Sequence, residues 1–339
     1  MPMGSNKPSA PIWSSEDAAV SITQADLVFR MILCCGEALV DMIPVDLPAG
    51  GKAYAPHAGG AVFNTAIALG RLGVETGMVS GVSTDTFGRM LASQLEENGV
   101  STAYLARSGR LTTLALVHIE NGSATYSFYD ENSAGRSLTF ADMPVLGDEV
   151  SALYFGGISL VAEPAADAYA SLLAKERANR VVMIDPNIRP GFISAEHTYR
   201  DRLDRMIGQS DIIKVSDEDL DWLIEGEETI ETKAAAMRGR GPAIVVVTKG
   251  AEGATAFFRD ASVGVAAPVT DVVDTVGAGD TFNAGFLAGL NDKGCLSKDA
   301  LGSVSDDMIH HALSLGATVA AVTVSRAGAN PPWASEINR

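Results

Sequence analysis

The residues best suited to chemistry lie in one short stretch near the C-terminus. Gly277, Ala278 and Gly279 form a small-residue turn that runs into an apolar helix, and Asp280 stands at the junction. Backbone N–H groups at a helix start have no partner inside the helix, so they can hold an anion. Asp280 beside them could take a proton from an attacking hydroxyl group, which is a layout for phosphoryl transfer. The alternative for so short a motif is an aspartate at a helix N-cap.

The longer string around this turn narrows the choice. Residues 274–290 (DTVGAGDTFNAGFLAGL) closely resemble the C-terminal signature of the ribokinase-like, phosphofructokinase-B-type carbohydrate kinases. With the other motifs below, the resemblance covers nearly all of residues 31–333. It implies a ribokinase-like three-layer α/β/α sandwich with a small β-sheet lid. It also implies an ATP-dependent sugar kinase that uses Mg²⁺, with K⁺ as a further candidate ion.

The N-terminal motif supplies the candidate sugar site. Asp41 ends the run GEALVD, and Asn64 follows the pair Gly59-Gly60. A carboxylate can accept from neighbouring hydroxyl groups, an amide can donate and accept, and glycines let a sugar ring approach the backbone. The resemblance implies that Asp41, Gly59, Gly60 and Asn64 bind sugar hydroxyls. An aspartate at a strand end and an asparagine in a first helical turn are the ordinary alternatives.

Two motifs in the middle of the chain resemble phosphate-side elements of the family. Arg189, in DPNIRP, follows a predicted strand, and the resemblance implies that it reaches the substrate or the transferring phosphate, whose oxygens its guanidinium matches. In KVSDED, Lys214 and Ser216 are expected near the nucleotide, and Asp219 is expected to hold magnesium through water. This motif departs from the family's Asn-x-x-Glu, with Ser216 for Asn and Asp219 for Glu. Ser216 is also a natural N-cap, and an arginine in a loop can be a surface residue.

The remaining nucleotide candidates come from three further positions in the resemblance. Thr248, Gly250 and Gly253 match a turn that lies along the nucleotide, for which a simple hairpin turn is the alternative. Asn330 lies in a C-terminal segment that runs near the nucleotide in the family. Asp274 matches a monovalent-cation position, usually potassium.

Apolar patterns predict the elements that must position these residues. Predicted strands are 31–35, 77–82, 153–155, 181–185, 211–215 and 244–248, and predicted helices include 61–72 and 87–98. Strands that alternate with helices indicate a mostly parallel sheet with helices on both faces. Residues 112–129 alternate like a hairpin with an Asn121-Gly122 type I′ turn. We therefore expect lid strands from about 42–58 and 104–130, in one kinase domain over 31–333. Residues 1–30 are expected to be a disordered or artificial leader.

Composition sets the outer limits. The chain has 339 residues, a net charge of −17 and 47% hydrophobic residues, which disfavours nonspecific attachment to nucleic acid or an anionic membrane. The longest apolar stretch, 312–324, is too short to span a bilayer. Three cysteines form no disulfide or zinc pattern, so we expect a cytoplasmic protein. The alternating lid strands suggest a homodimer through the lids.

Within the kinase class, the set GEALVDMIP, DPNIRP, KVSDED and VTVSRAGANPPW looks like bacterial fructokinases. The alternatives are 2-keto-3-deoxygluconate kinase, then ribokinase or adenosine kinase. An acidic substrate would need a further cation near the sugar, for which Lys52, Arg107 and Arg136 are available. A sugar- or nucleotide-binding regulator without catalysis and a nicotinamide dehydrogenase are more remote, because Asp280 and the Gly-Ala-Gly turn are intact and no early GxGxxG is present.

Overall fold

The computed structural model describes residues 30–120, 123–337 and 339. The predicted leader, apart from Arg30, and the predicted turn at Asn121-Gly122 lie outside these residues. In chain order the strands are β1 Met31–Cys35, β2 Leu39–Asp46, β3 Lys52–Gly59, β4 Thr76–Val79, β5 Gly81–Ser83, β6 Val100–Ser101, β7 Ala106–Ser108, β8 Leu114–Glu120, β9 Ser123–Tyr129, β10 Val150–Gly156, β11 Val181–Asp185, β12 Ile212–Ser216, β13 Ile244–Thr248, β14 Ala254–Phe258 and β15 Ala261–Val265.

The α-helices alternate with these strands over most of the chain. They are α1 Ala61–Arg71, α2 Thr86–Glu97, α3 Ala165–Glu176, α4 Glu196–Ile207, α5 Asp217–Leu223, α6 Ile230–Arg238, α7 Ala278–Asp292, α8 Lys298–Gly302 and α9 Asp306–Val324. No helix in the described ranges is both long and apolar enough to cross a bilayer.

Nine strands form the central sheet in the order β15-β14-β13-β12-β11-β10-β1-β4-β6. The strands from β13 through β6 pair in parallel, and β14 and β15 join at one edge as an antiparallel hairpin. Buried strands such as β13 are apolar at nearly every position, because helices cover both faces. The predicted mostly parallel sheet is confirmed.

Two separate cores cover the two faces of this sheet. One contains side chains from α1, α2, α7 and α9, and the other contains side chains from α3, α4, α5 and α6. The three-layer α/β/α sandwich predicted from the sequence is therefore confirmed.

A second, four-stranded sheet has the order β3-β2-β8-β9 and lies beside the sandwich. The predicted hairpin is present, since β8 and β9 pair antiparallel with Val117 opposite Tyr126. We call these four strands the lid sheet. Its bounds differ from the prediction, because residues 104–113 do not belong to it.

One predicted strand needs correction. Residues 77–82 are not continuous but divide into β4 and β5, and β5 pairs with β7 in a separate two-stranded sheet. The chain leaves the central sheet after Val79, and Gly81 then lies against the backbone of Ala134, where a β-carbon would come within 2.1 Å of its carbonyl oxygen. The apolar pattern does not reveal this change of partner, since both pieces are buried.

The topology brings the sequence motifs to one edge of the sheet. The carboxyl ends of β1, β10, β11, β12 and β13 lie side by side there, as parallel strands require. Helix α7 packs against α1 and α9 on one face. The start of α7 therefore meets the start of α1 above this edge.

Candidate active site

Asp280 lies in the first turn of α7 and is 7% exposed. Its Oδ2 accepts a hydrogen bond of 2.9 Å from Nδ2 of Asn64, and its backbone carbonyl accepts one of 3.0 Å from the hydroxyl of Thr65. Burial raises the pKa of Asp280 to about 6, against the lowering effect of the Asn64 hydrogen bond. A carboxylate with that pKa is ionised near neutral pH and still basic enough to accept a proton.

The turn before α7 leaves amide donors open. Gly277 is in the left-handed conformation at the N-cap, and the amide of Ala278 donates to the carbonyl of Thr275. Within the described residues, the amides of Gly277, Gly279 and Asp280 donate to no protein acceptor. Free amides and a buried carboxylate therefore lie together at one helix start, and the anion site they would form stays a prediction.

A buried charged network lies behind the turn. Nζ of Lys214 is 3.0 Å from Oδ2 of Asp185, and Nδ2 of Asn283 donates to the same oxygen at 2.7 Å. A β-carbon on Gly279 would lie 3.4 Å from Nζ of Lys214. The ammonium group therefore lies directly beside the turn, and its charge lowers the pKa of Asp280.

The loop after β11 carries Arg189 on the same edge. The amide of Ile188 donates to Oδ1 of Asp219 at 3.1 Å, and this bond holds the loop in place. Arg189 is exposed, and its guanidinium lowers the pKa of Asp280. The guanidinium of Arg189 is therefore close enough to Asp280 to act on it electrostatically, while its Nη1 donates to the carbonyl of Ile188 at 2.9 Å.

Asp219 itself is 7% exposed, and its pKa is raised by burial and by the charge of Asp185. Ser216 caps α5 by accepting from the amide of Asp219 at 3.0 Å, as the alternative in the sequence analysis proposed. Both residues thus shape the loop, whatever they contribute to a bound ion.

The candidate sugar residues border the lid sheet. Asp41, on β2, is partly buried, and burial raises its pKa to about 6. A β-carbon on Gly59 would come within 2.3 Å of Oδ2 of Asp41, so a larger residue there would displace this carboxylate. Gly60 has φ of 109° at the N-cap of α1, a conformation that favours glycine. The glycine pair therefore shapes the site as well as leaving room for a ligand.

The predicted nucleotide turn at residues 248–253 lines an apolar cavity of about 590 Å³. Predicted residues on its wall are Thr248, Gly250, Gly253, Ala278 and Gly279. The opposite wall was not predicted, and is made by Ala267, Pro268, Val272, Phe282, Ala317, Ala320 and Val324. The cavity thus begins at the open amides of α7 and continues as an apolar slot of the size of a small organic ligand.

Two predicted residues are engaged elsewhere. The Oδ1 of Asn330 accepts from Nη1 of Arg71 at 2.7 Å, at the far end of α1 from Asn64, so the structure does not turn this side chain toward the cavity. The carboxylate of Asp274 accepts from the amides of Val276 at 3.0 Å and Gly328 at 2.9 Å. Asp274 therefore ties the turn before α7 to the C-terminal segment.

Sequence reasoning missed several polar residues of the site. Glu37, in the motif GEALVD, binds the amides at the start of α1. Asn283 and Tyr154 are fully buried below Asp280 and are joined by a hydrogen bond of 2.9 Å. Asn283 lies three residues after Asp280, on the next turn of the same helix face, and this spacing was the available signal.

The chain matches the family model described as pfkB family carbohydrate kinase over residues 30–336. It is 48% identical over 282 residues to a fructokinase of Rhizobium leguminosarum bv. trifolii, covering 83% of this chain and 86% of that one. The fold is similar to that of the fructokinase of Xylella fastidiosa with bound ATP, with a TM-score of 0.83, 27% identity and coverage of 91% and 98%. A double-mutant fructokinase of Vibrio cholerae O395 with fructose, ADP and potassium ion bound is similar too, with a TM-score of 0.76, 26% identity and coverage of 89% and 94%.

Proposed function

The chain belongs to the pfkB family of carbohydrate kinases, and from this premise we propose that it transfers the γ-phosphate of ATP to a primary hydroxyl group of D-fructose. The observation that carries the proposal is the buried carboxylate of Asp280 beside the open amides of Gly277 and Gly279. The sugar identity is supported by the Rhizobium relative, which is a fructokinase.

The chemistry follows from this arrangement. The sugar oxygen attacks the γ-phosphorus while Asp280 takes the hydroxyl proton, and the bond from phosphorus to the β-phosphate oxygen breaks to release ADP. The free amides, Lys214 and Arg189 stabilise the charge on the transferring group. Asn64 holds the Asp280 carboxylate, the general base, by its hydrogen bond to Oδ2.

We assign the 590 Å³ cavity to ATP, with the phosphates at the amide end and the base in the apolar slot. Thr248, Gly250 and Gly253 would contact the nucleotide through the backbone, and Ala320 and Val324 would pack against the base. Ser216 accepts from the amide of Asp219 and so fixes the position of that residue. We propose that Asn330, bound by Arg71, fixes the C-terminal segment beside the nucleotide without contacting the nucleotide itself.

The described residues include no cluster of three or more His, Cys, Asp or Glu side chains able to hold a metal. This fits Mg²⁺, which keeps several waters and is bound by few carboxylates together with the phosphates of ATP. We propose Asp219 as the residue that holds it through water. Each oxygen of Asp274 keeps a lone pair beyond its amide bond, so Asp274 can also ligate K⁺.

Charge near the sugar supports a neutral substrate. An acidic sugar would need a cation there besides Arg189, which is assigned to the transferring phosphate, yet Nη1 of Arg136 donates to both carboxylate oxygens of Asp130, at 3.0 Å and 3.1 Å. Lys52 and Arg107 are exposed on β3 and β7. This pairing favours a keto-hexose over 2-keto-3-deoxygluconate.

We propose that the protein works in the cytoplasm as a homodimer through the lid sheets. Its three cysteines are free and buried, as a reducing compartment permits. The lid sheet exposes large apolar side chains that a second copy would cover, namely Val45, Tyr54 and Tyr129, of which Tyr129 is 62% exposed. Light scattering of the protein in solution measures the mass, and a monomer at micromolar concentration would contradict this assignment.

The function is tested by ADP release with Mg-ATP and K⁺ against fructose, 2-keto-3-deoxygluconate, ribose and adenosine. We expect turnover with fructose far above the other three, and less turnover when Na⁺ replaces K⁺. Preference for 2-keto-3-deoxygluconate would leave the phosphoryl-transfer mechanism in place but show that the substrate is the keto acid. Absence of ADP release with all four would overturn the proposed function.

A further inference from the structure

Glu37 joins two elements of the site, the start of α1 and the turn after β10, by accepting hydrogen bonds from the backbone of both. It follows β1, and its Oε1 accepts from the amides of Ala61 at 2.9 Å and Val62 at 3.4 Å. Its Oε2 accepts from the amide of Ser159, in the turn after β10, at 3.2 Å. Both carboxylate oxygens therefore face N–H donors.

The space around this side chain is shaped for it. A β-carbon on Gly157 would come within 2.2 Å of Oε1 of Glu37, and one on Gly60 would lie 3.0 Å from its Cγ. Both glycines have positive φ, at 66° and 109°. The backbone is thus folded closely around one carboxylate.

The held helix in turn holds the catalytic candidate. Helix α1 begins at Ala61, and three and four residues later Asn64 and Thr65 bind the carboxylate and the carbonyl of Asp280. Gly60, at the N-cap of α1, also belongs to the candidate sugar site. A displacement of the first turn of α1 would therefore move both the candidate sugar contacts and the side chains that hold Asp280.

We propose that Glu37 is a positioning residue whose ionised carboxylate holds the start of α1, and through it the sugar site and Asp280, in the reactive arrangement. This proposal rests on the proposed sugar kinase function. Glu37 acts through α1 and does not touch the reacting atoms.

Opposing influences set the ionisation of Glu37. Burial, aided by the charge of Asp280, favours the protonated form and raises the pKa of Glu37 to about 7, against the lowering effect of backbone amides that include those of Ser159 and Val62. Besides Asp280 on α7, the titratable group that faces it is Tyr169 on α3, which stays neutral because burial raises its pKa well above the usual range. No lysine or arginine in the described ranges forms an ion pair with Glu37. The hydrogen bonds from the backbone amides to the Glu37 carboxylate therefore weaken as pH falls through about 7.

The test compares the wild type with Glu37→Gln, which keeps the shape but turns an NH₂ donor toward an amide donor. We expect the sugar KM to rise about tenfold and the ATP KM to stay within about twofold. In the wild type, the pH profile of kcat/KM for sugar should show the ionisations of Asp280 and Asp41 near 6 and a further one near 7, and the one near 7 should be missing in the variant. Glu176→Gln is the control, since Glu176 is also shielded from solvent but pairs with Arg180, which lies just before β11 at the edge of the sheet away from the site.

A second measurement needs no substrate. Hydrogen exchange at the amides of Ala61, Val62 and Ser159 should be faster in Glu37→Gln than in the wild type, and unchanged in Glu176→Gln. Unchanged exchange, or a wild-type pH profile that lacks the ionisation near 7, would overturn the proposal. The pH profile is measured on the wild type, so this second result does not depend on whether a variant folds. Absence of wild-type turnover would overturn the proposed function alone, because the exchange comparison still decides the role of Glu37.

Discussion

The sugar side and the nucleotide side of this cleft are built from different materials. The sugar side places partly or fully buried carboxylates (Glu37, Asp41 and Asp280) close together, and the pKa of each is raised. The nucleotide side is a slot of glycine, alanine and valine. The sugar side therefore depends on carboxylate charges that burial destabilises, whereas the nucleotide side depends on the shape of the backbone.

The largest effect is expected from removing the charge on the sugar side. Asp280→Ala should lower kcat by about 10³-fold or more, because no other described carboxylate lies at the amides of α7 to take the proton. Fructose binding, measured by calorimetry, should survive. Asp201→Ala, an exposed aspartate on α4, serves as the control. Turnover within tenfold of the wild type would remove Asp280 from the mechanism.

A smaller effect is expected from altering the backbone on the nucleotide side. Gly253 has φ of 101°, and a β-carbon there would come within 2.0 Å of the carbonyl oxygen of Val265. Gly253→Ala should therefore raise the ATP KM by roughly tenfold and destabilise the fold by about 1–3 kcal/mol, with the fructose KM unchanged. Steady-state kinetics and thermal unfolding measure both.

Gly264→Ala is the matched control for that change, since Gly264 lies on β15 with ordinary φ, and a β-carbon there would meet its neighbours only at van der Waals distance, 3.4 Å from the hydroxyl of Thr255. An equal rise in the KM values of both substrates would mean that the two halves of the cleft are not separable in this way.

The smallest effect is the cost in stability of the buried charge. The pKa of Asp280 is raised from 3.8 to about 6, so the folded protein holds the proton more tightly than the unfolded chain does. The contribution of this group to stability is therefore full at low pH and is lost as pH rises from about 4 to about 6. Asp280→Asn should be more stable than the wild type at pH 7.5 by about 1–3 kcal/mol. Urea unfolding should show the difference narrowing toward pH 4.5, and a less stable variant at pH 7.5 would contradict it.

The parts of the fold that follow from local patterns were predictable. The apolar runs of β11 and β13, the glycine stops and the 112–129 hairpin each depend on a few neighbouring residues. The division of residues 77–82 was not, because a buried strand that changes partner keeps the same apolar pattern.

The site shows the same limit. Asp280 and the Gly277–Gly279 turn stand out because helix starts have chemistry of their own. Glu37 gives no such signal, since its role arises from amides 24 and 122 positions away. The apolar run 312–324 was weighed only as a membrane span, whereas Ala317, Ala320 and Val324 form a wall of the nucleotide slot. A base-binding wall and a core face have the same composition.

The hydrogen bond between Asn64 and Asp280 joins residues 216 positions apart. During synthesis at about 5–20 residues per second, the segment that carries Asn64 leaves the ribosome at least about ten seconds before α7 does. A growing chain can therefore present sugar-binding groups but has no general base. The general base is made only with about the last sixth of the chain, so unfinished copies that lack it cannot transfer phosphate from ATP.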